Sequence, residues 1–184
     1  MSGRTLVAPR GAYLSYVLTR LADGTPLIVR PIRTDDKPLL TGGLAQLSPA
    51  SRQQRFLSPK QRFTLAELRY LTEIDGVDHV AYVALRGDAP KELVAVARLV
   101  RDAEHPERAE IAVVVGDCFQ RRGVGTLLGD VLATAARDRG IRWLTATMAS
   151  DNVAAHRLFH HVSTQLEHHA SGGVDELWAD LAAA

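Results

Sequence analysis

Glu110-Ile-Ala-Val-Val-Val-Gly-Asp-Cys-Phe-Gln120-Arg-Arg-Gly123-Val-Gly125-Thr126 reads as an apolar strand running into a basic, glycine-bearing turn. Leu127, Leu128, Val131, Leu132, Ala135 and Ala136 follow on one face of an amphipathic helix, which ends at Gly140, a residue suited to a left-handed cap. A turn of this kind presents several backbone N–H groups and the positive end of a helix dipole to one point in space, which suits a pyrophosphate. The chain is therefore expected to bind a phosphorylated cofactor.

Working outward from that stretch, residues 79–85 and 93–100 read as strands joined through Arg86-Gly-Asp-Ala-Pro90. Residues 109–115 form a third strand after the charged turn 102–108, giving an antiparallel meander. Downstream, residues 141–148 are the next strand, Ser150-Asp151-Asn152 caps a helix to about His161, and residues 164–168 and 174–181 close the sheet.

Toward the N-terminus, Thr34-Asp35-Asp36 with Pro38 in the first turn predicts a helix to about Leu47. Ser48-Pro49-Ala50-Ser51 restarts helical structure, Ser58-Pro59 interrupts it, and Thr64 caps a helix with Leu65, Leu68 and Leu71 at core spacing. Residues 14–21 and 26–32 are apolar, β-prone runs around Ala22-Asp23-Gly24-Thr25 and read as a hairpin; a short helix over residues 13–21 is the competing reading. Residues 1–10 carry little pattern and read as a loose arm or an edge contact. The expectation is a single domain over residues 1–184, with 1–24 an N-terminal arm or extra strand.

A formal net charge of +1, with 22 Lys and Arg spread along 184 residues, leaves no overall basic field for nucleic acid. No stretch approaches 18 apolar residues and the first residues lack a secretory pattern, so no membrane partner is expected and the location is read as cytoplasmic. Cys118 is the single cysteine, which excludes an internal disulfide and a zinc cluster and fits a reducing compartment. It reads as a small buried filler. His160-His161 and His168-His169 are adjacent pairs with no convincing ligand set, so they read as partly exposed and no metal site is assigned. Trp143 and Trp178 read as core or interface. Arg52, Arg55 and Arg62 are candidates for steering an acidic substrate or coenzyme phosphates, against the ordinary solvated role of arginines on short surface helices.

Gln120-x-x-Gly123-x-Gly125 is not specific in isolation: with 14 glycines in the chain, about one G-x-G arises by chance. Gly123-Val-Gly125-Thr-Leu-Leu-Gly129 misses the dinucleotide fingerprint by one residue, Thr145 stands where its acidic residue belongs, and no G-K-[ST] is present. Context carries the weight: a Val-rich strand, the turn, a patterned helix, a further strand, then Asn152-Val-Ala-Ala155-His-Arg-Leu158-Phe159 on the next helix. This arrangement resembles the GNAT superfamily of acetyl-CoA-dependent N-acetyltransferases. Leu47-Ser-Pro-Ala-Ser-Arg-Gln-Gln-Arg55-Phe56 and Leu68-Arg-Tyr-Leu-Thr-Glu-Ile-Asp-Gly-Val-Asp-His79-Val also look like the branch containing bacterial protein-lysine acetyltransferase domains.

The resemblance implies an α/β fold with a mixed, mostly antiparallel sheet, splayed in the middle and flanked by helices. It implies acetyl-CoA as cosubstrate, with Gln120, Arg121, Arg122, Gly123, Val124, Gly125 and Thr126 around the pyrophosphate, Val113, Val114 and Val115 along the pantetheine arm, and Asn152 and Phe159 beside it. An arm of roughly 15 Å running back over four or five strand residues at ~3.3 Å each brings the thioester near Ile111 to Val113, and Glu110 is next along. Strand alternation sets Glu110, Ala112 and Val114 on one face, so Glu110 is the candidate general base, acting through a water; its alternative role is a salt bridge at the strand start. A splayed strand N–H near residues 113–115 is the candidate oxyanion donor. Asn152 fits both a cofactor contact and a helix N-cap.

Many relatives have a tyrosine seven residues after that asparagine as general acid. Phe159 stands there instead, leaving His156, His160, Ser150 or solvent for that role. The acceptor is read as a primary amine, protein lysine by the branch resemblance or a small molecule; an acetyl-CoA-binding sensor that does not turn over is the alternative. A monomer or homodimer is expected.

Overall fold

The computed structural model describes residues 5–7 and 16–183. Nine strands form one sheet in the order β1-β2-β3-β4-β5-β6-β7-β9-β8: β1 (Thr5–Val7), β2 (Tyr16–Arg20), β3 (Pro26–Pro31), β4 (His79–Arg86), β5 (Ala89–Arg101), β6 (Arg108–Val115), β7 (Trp143–Ala149), β8 (Leu166–Ser171) and β9 (Val174–Asp180). Each neighbouring pair is antiparallel except β6 with β7. That parallel pair is joined only at Arg108↔Trp143, Ala109↔Leu144 and Glu110↔Thr145. Beyond Glu110 the strands part, while β6 stays in register with β5 up to Val115 and β7 stays paired with β9 up to Ala149. The mixed sheet splayed in its middle is thus present as expected.

The hairpin of β2 and β3 turns through Gly24 at φ +85°, with Leu21 N–H donating to the Thr25 carbonyl at 2.9 Å and Thr25 N–H to the Asp23 carboxylate at 3.0 Å. The competing helix is excluded for residues 16–20; its residues 13–15 lie outside the described residues. Of the expected arm, Thr5–Val7 is described, and it pairs along the outer edge of β2.

Five helices follow from local signals: α1 (Lys37–Gln46), α2 (Pro49–Phe56), α3 (Leu65–Thr72), α4 (Val124–Arg137) and α5 (Val153–Val162). A 3-10 turn at Thr34–Asp36 leads into α1, and there the buried Asp36 carboxylate takes both guanidinium nitrogens of Arg30 (2.6 and 2.7 Å) and the Arg33 N–H (2.8 Å). Thr64 and Glu67 form a reciprocal capping box at α3, which satisfies two otherwise orphaned donors. At the end of α4 Gly140 adopts φ +69°, and Ile141 N–H returns to the Ala136 carbonyl. Ile141 therefore packs in the core, and the strand expected from residue 141 begins at Trp143. The last hairpin is longer than expected because Gly172 and Gly173, both at positive φ, make a two-residue turn that carries β8 to Ser171.

The sheet buries both faces. Val80, Tyr82, Ala97, Leu99 and Ile111 pack with Leu128, Leu132 and Phe159 of α4 and α5, while Ala81, Val83, Leu85 and Val96 pack with Leu40, Leu68 and Leu71 of α1 and α3. Glu110, Ala112 and Val114 lie opposite Val100, Arg98 and Val96 in register, so they belong to the α1–α3 face.

Candidate active site

The cleft begins where α4 begins. Gly123 is its N-cap at φ +84°, the first turn carries no acidic residue, and the leading N–H groups of an α-helix have no partner within the helix. Arg121 is held at φ +58°, a conformation costly for a side-chain-bearing residue and typical of ligand clamps. A methyl group built on Gly125 would meet nothing within 4 Å, so this wall is open backbone.

From this loop a cavity of about 340 Å³ runs between the diverging β6 and β7. Because β7 leaves β6 after Glu110, the edge of residues 111–115 facing the gap has no strand partner, which suits the amides of an extended ligand. Of the residues read from the sequence, Glu110, Val113, Val114, Val115, Gln120, Arg121, Gly123, Gly125, Thr126, Asn152 and Phe159 line it. Arg122 and Val124 do not. Arg122 pairs with Asp23 at 2.9 Å across the β2–β3 turn, and Val124, 1% exposed, packs in the core; any part they have in phosphate binding is limited to their backbone.

Glu110 is exposed at the inner end of the cleft. Asn152 caps α5, accepting from Ala155 N–H at 3.1 Å, and lines the cleft as well, so its two readings coexist. Phe159 is 2% exposed and offers no proton. Two alternative acids are occupied elsewhere: the Ser150 hydroxyl donates to Asp175 at 2.5 Å and His156 Nε2 lies 3.0 Å from the same carboxylate, which His168 also meets at 3.0 Å. The Ser150 bond, outweighing burial, leads the effects that hold the Asp175 carboxyl below its usual range. His160 is exposed, and neither it nor Ser150 nor His156 lines the cleft.

Sequence reasoning missed most of the contribution of α2. Ser51, Gln54 and Arg55 line the cleft, and of these only Arg55 carried a signal. Burial lowers the Arg55 pKa while the charge of Glu110 raises it. Behind it on β5, Arg98 is 5% exposed, donates to the Leu71 carbonyl at 2.7 Å and meets His79 Nε2. Burial, reinforced by the charge of Arg55, pushes Arg98 down to about 10; burial and then Arg98 push His79 down to about 4. His79 is therefore a neutral acceptor.

Cys118 corrects the sequence reading: it is exposed, because in the 3-10 turn Asp117–Phe119 it is Phe119 that enters the core. His160, His161, His168 and His169 are exposed, and no metal-binding group of side chains exists among the described residues. Trp143 and Trp178 are half-buried and meet edge to face at 6.5 Å, covered by Arg142 and Arg108. Among the described residues no helix is long and apolar enough to cross a membrane.

The sequence model described as the acetyltransferase (GNAT) family matches residues 49–162. Acetyltransferase Pat of Mycolicibacterium smegmatis is 31% identical over 147 residues, which cover 80% of this chain and 44% of that protein; the chain thus spans less than half the length of this relative. Acetyltransferase PA5475 of Pseudomonas aeruginosa is 31% identical over 135 residues, covering 73% of this chain and 72% of that one. Among solved structures, the GNAT domain of S. lividans PAT superposes with a TM-score of 0.80 at 31% identity, covering 90% of this chain and 97% of that one.

Proposed function

Because the chain belongs to the acetyltransferase (GNAT) family, we propose that its cleft receives acetyl-CoA and that the acetyl group passes directly to a primary amine. The observation that carries this reading is the loss of β6–β7 pairing immediately after Glu110, opposite the bare N-terminus of α4. One feature suits an extended amide-bearing arm and the other a pyrophosphate, and a carboxylate stands at the far end of the same groove.

Bound there, acetyl-CoA supplies an activated thioester, whose C–S bond breaks as the amine nitrogen bonds to the carbonyl carbon. The N–H groups of residues 124–126 and the Arg121 side chain hold the diphosphate. The free edge of residues 111–115 aligns the arm and offers N–H groups to the carbonyl oxygen as negative charge develops there. Glu110 takes the amine proton through a water, a necessary step because a lysine-type amine with a pKa near 10.4 is protonated at neutral pH. Release of the thiolate proceeds with solvent as proton source, since the side chains read as acids lie outside the cleft; a thiol pKa of about 8.5 makes unassisted departure tolerable. The Pat resemblance favours protein lysine as acceptor, and a small amine is the alternative. The reading includes the whole chain as one such domain, with β1 and β2 as an added edge, as a monomer or homodimer in the cytoplasm.

The buried Phe159 favours a second reading, a sensor that binds acetyl-CoA without turning it over. Calorimetry with acetyl-CoA, NAD and ATP, joined to CoA-release assays over a panel of amines and lysine peptides, separates the two. Heat from acetyl-CoA alone with turnover on at least one amine supports the transferase. Binding with no turnover on any acceptor supports the sensor, and no binding sinks both.

A further inference from the structure

A second cavity, of about 230 Å³, lies on the α1–α3 face and shares Arg55, Ala112, Val114 and Phe119 with the cleft. Its walls are otherwise largely apolar, with Leu40, Leu44, Phe56, Phe63, Leu93 and Val96 among them, yet Arg55 and Arg98 both line it. Among the described residues no carboxylate lies within ion-pair distance of either guanidinium. Among the described residues Arg98 bonds to neutral groups, the Leu71 carbonyl and the His79 ring, beside which the Tyr70 ring lies tilted with centroids 4.8 Å apart. The carboxylate felt by Arg55 is that of the exposed Glu110. Arg98 feels no carboxylate, and the one carboxylate in the cavity lining, Asp117, is taken by Ser48 and Ser51; a buried cation without a counter-charge is costly.

The register sets the distances. Glu110 pairs with Val100, and Ala112 with Arg98, so Arg98 stands diagonally across from Glu110 on the same face. Such diagonal neighbours are about 7–8 Å apart at the backbone, within reach of long side chains. A carboxylate completing the arginine pair would lie a few ångströms from an amine poised at Glu110. The cavity is smaller than the roughly 300–1,000 Å³ of sites for drug-sized ligands, which suits a body the size of one amino acid.

We propose that Arg55 and Arg98 form a carboxylate-binding subsite on the acceptor side of Glu110, so that the acceptor carries a carboxylate close to its reacting amine. This rests on the acetyl-transfer reading, and it narrows the acceptor to two sources of one chemistry: a free amino acid with an apolar body, or a lysine beside an acidic residue in a protein.

The test compares matched pairs by CoA release: leucine against leucinamide, and acetyl-Glu-Lys-amide against acetyl-Gln-Lys-amide. At least one carboxylate member is expected to show a tenfold or greater advantage in kcat/KM, carried in KM. The responding pair identifies the source. The advantage shrinks toward one in Arg98→Met and, independently, in Arg55→Gln, which changes a residue on α2 and does not disturb β5. Where acetyl-CoA binds but no amine is turned over, transfer has failed as a reading. The subsite is then decided by thermal stabilisation of the CoA-loaded protein with N-acetyl-leucine against N-acetyl-leucinamide, and with the two peptides after chemical acetylation at lysine. Equal behaviour within every pair, or an advantage retained in both variants, overturns the proposal. A preference for succinyl-CoA over acetyl-CoA that both variants abolish also overturns it, by moving the carboxylate to the acyl group.

Discussion

The Gln120 side-chain amide donates to the hydroxyl of Ser51 at 3.1 Å, tying the turn before α4 to the helix that covers the far side of the cleft. Asp117 completes the tie, accepting from the Ser48 N–H (2.7 Å), the Ser48 hydroxyl (2.9 Å) and the Ser51 hydroxyl (2.6 Å). α2 buries no residue fully, so these polar bonds hold it as much as packing does. Asp117→Ala is expected to lower stability by about 1–2 kcal/mol, the scale of a few exposed hydrogen bonds. KM should rise for both acetyl-CoA and the amine, because α2 carries Ser51 and Arg55 to the cleft and Arg55 to the second cavity as well. Thermal melts with steady-state kinetics check this; a lower Tm with both KM values unchanged would show that α2 is held by other means.

Glu110→Gln keeps the shape of the residue and removes the base. The expected loss is about 10²–10⁴-fold in kcat, the usual contribution of a positioned general base, with acetyl-CoA affinity by calorimetry nearly unchanged. The residual activity should rise with pH up to the pKa of the amine, as free acceptor replaces acceptor deprotonated in the site. A variant within threefold of the parent at neutral pH would remove Glu110 from the chemistry.

The meander, the loop, α4 and α5 were legible in the sequence because each has a local cause: alternation or helical spacing, Gly123 before α4, and Asn152 before α5. The divergence of β6 from β7 leaves no mark in either strand and came from the family resemblance. What failed to show were long-range choices between partners. Nothing near Arg122 announces that Asp23, 99 residues away, will take its guanidinium, nor does anything near Ser150 and His156 announce Asp175. Arg55 drew notice as one of three surface arginines, but its place near Glu110 and Arg98 depends on how α2 lies on β6 and β7. Cys118 was misjudged because a short 3-10 turn exposes it while burying its neighbour Phe119.

Gly125 separates folding from binding. Its added methyl would meet no protein atom within 4 Å and its φ is not in the left-handed region, so Gly125→Ala should leave the fold intact. Ala in place of Gly near a helix start gains up to about 1 kcal/mol. The methyl nonetheless projects from a wall of the cleft. The expected outcome is an unchanged or higher Tm together with at least a tenfold weaker acetyl-CoA affinity. Gly123→Ala should differ, costing roughly 1–2 kcal/mol in stability because Gly123 sits at φ +84°. Unimpaired acetyl-CoA binding by the stable Gly125→Ala protein would move the diphosphate away from this turn.

His79 gives the protein a stability step above the carboxylate range. Burial first, and Arg98 second, lower its pKa from 6.5 to about 4, so between those values the unfolded chain binds a proton that the folded chain does not. Stability is therefore fully present above pH 6.5 and falls as the pH drops toward 4. The full shift corresponds to about 3 kcal/mol, and solvent screening of a half-exposed ring reduces it to on the order of 1–2 kcal/mol. Depressed carboxyls act lower: Glu67, held at about 2 by hydrogen bonds from Lys60 and Thr64, loses its contribution only as the pH falls below about 4.5. His79→Gln keeps an acceptor for Arg98 without a titrating ring. Urea unfolding of both proteins from pH 7 to 3 should show the variant nearly flat between pH 6.5 and 4.5 and parallel to the parent below that. Equal slopes in the upper window would mean that His79 is protonated alike in folded and unfolded chains, and that its contact with Arg98 does not hold it neutral.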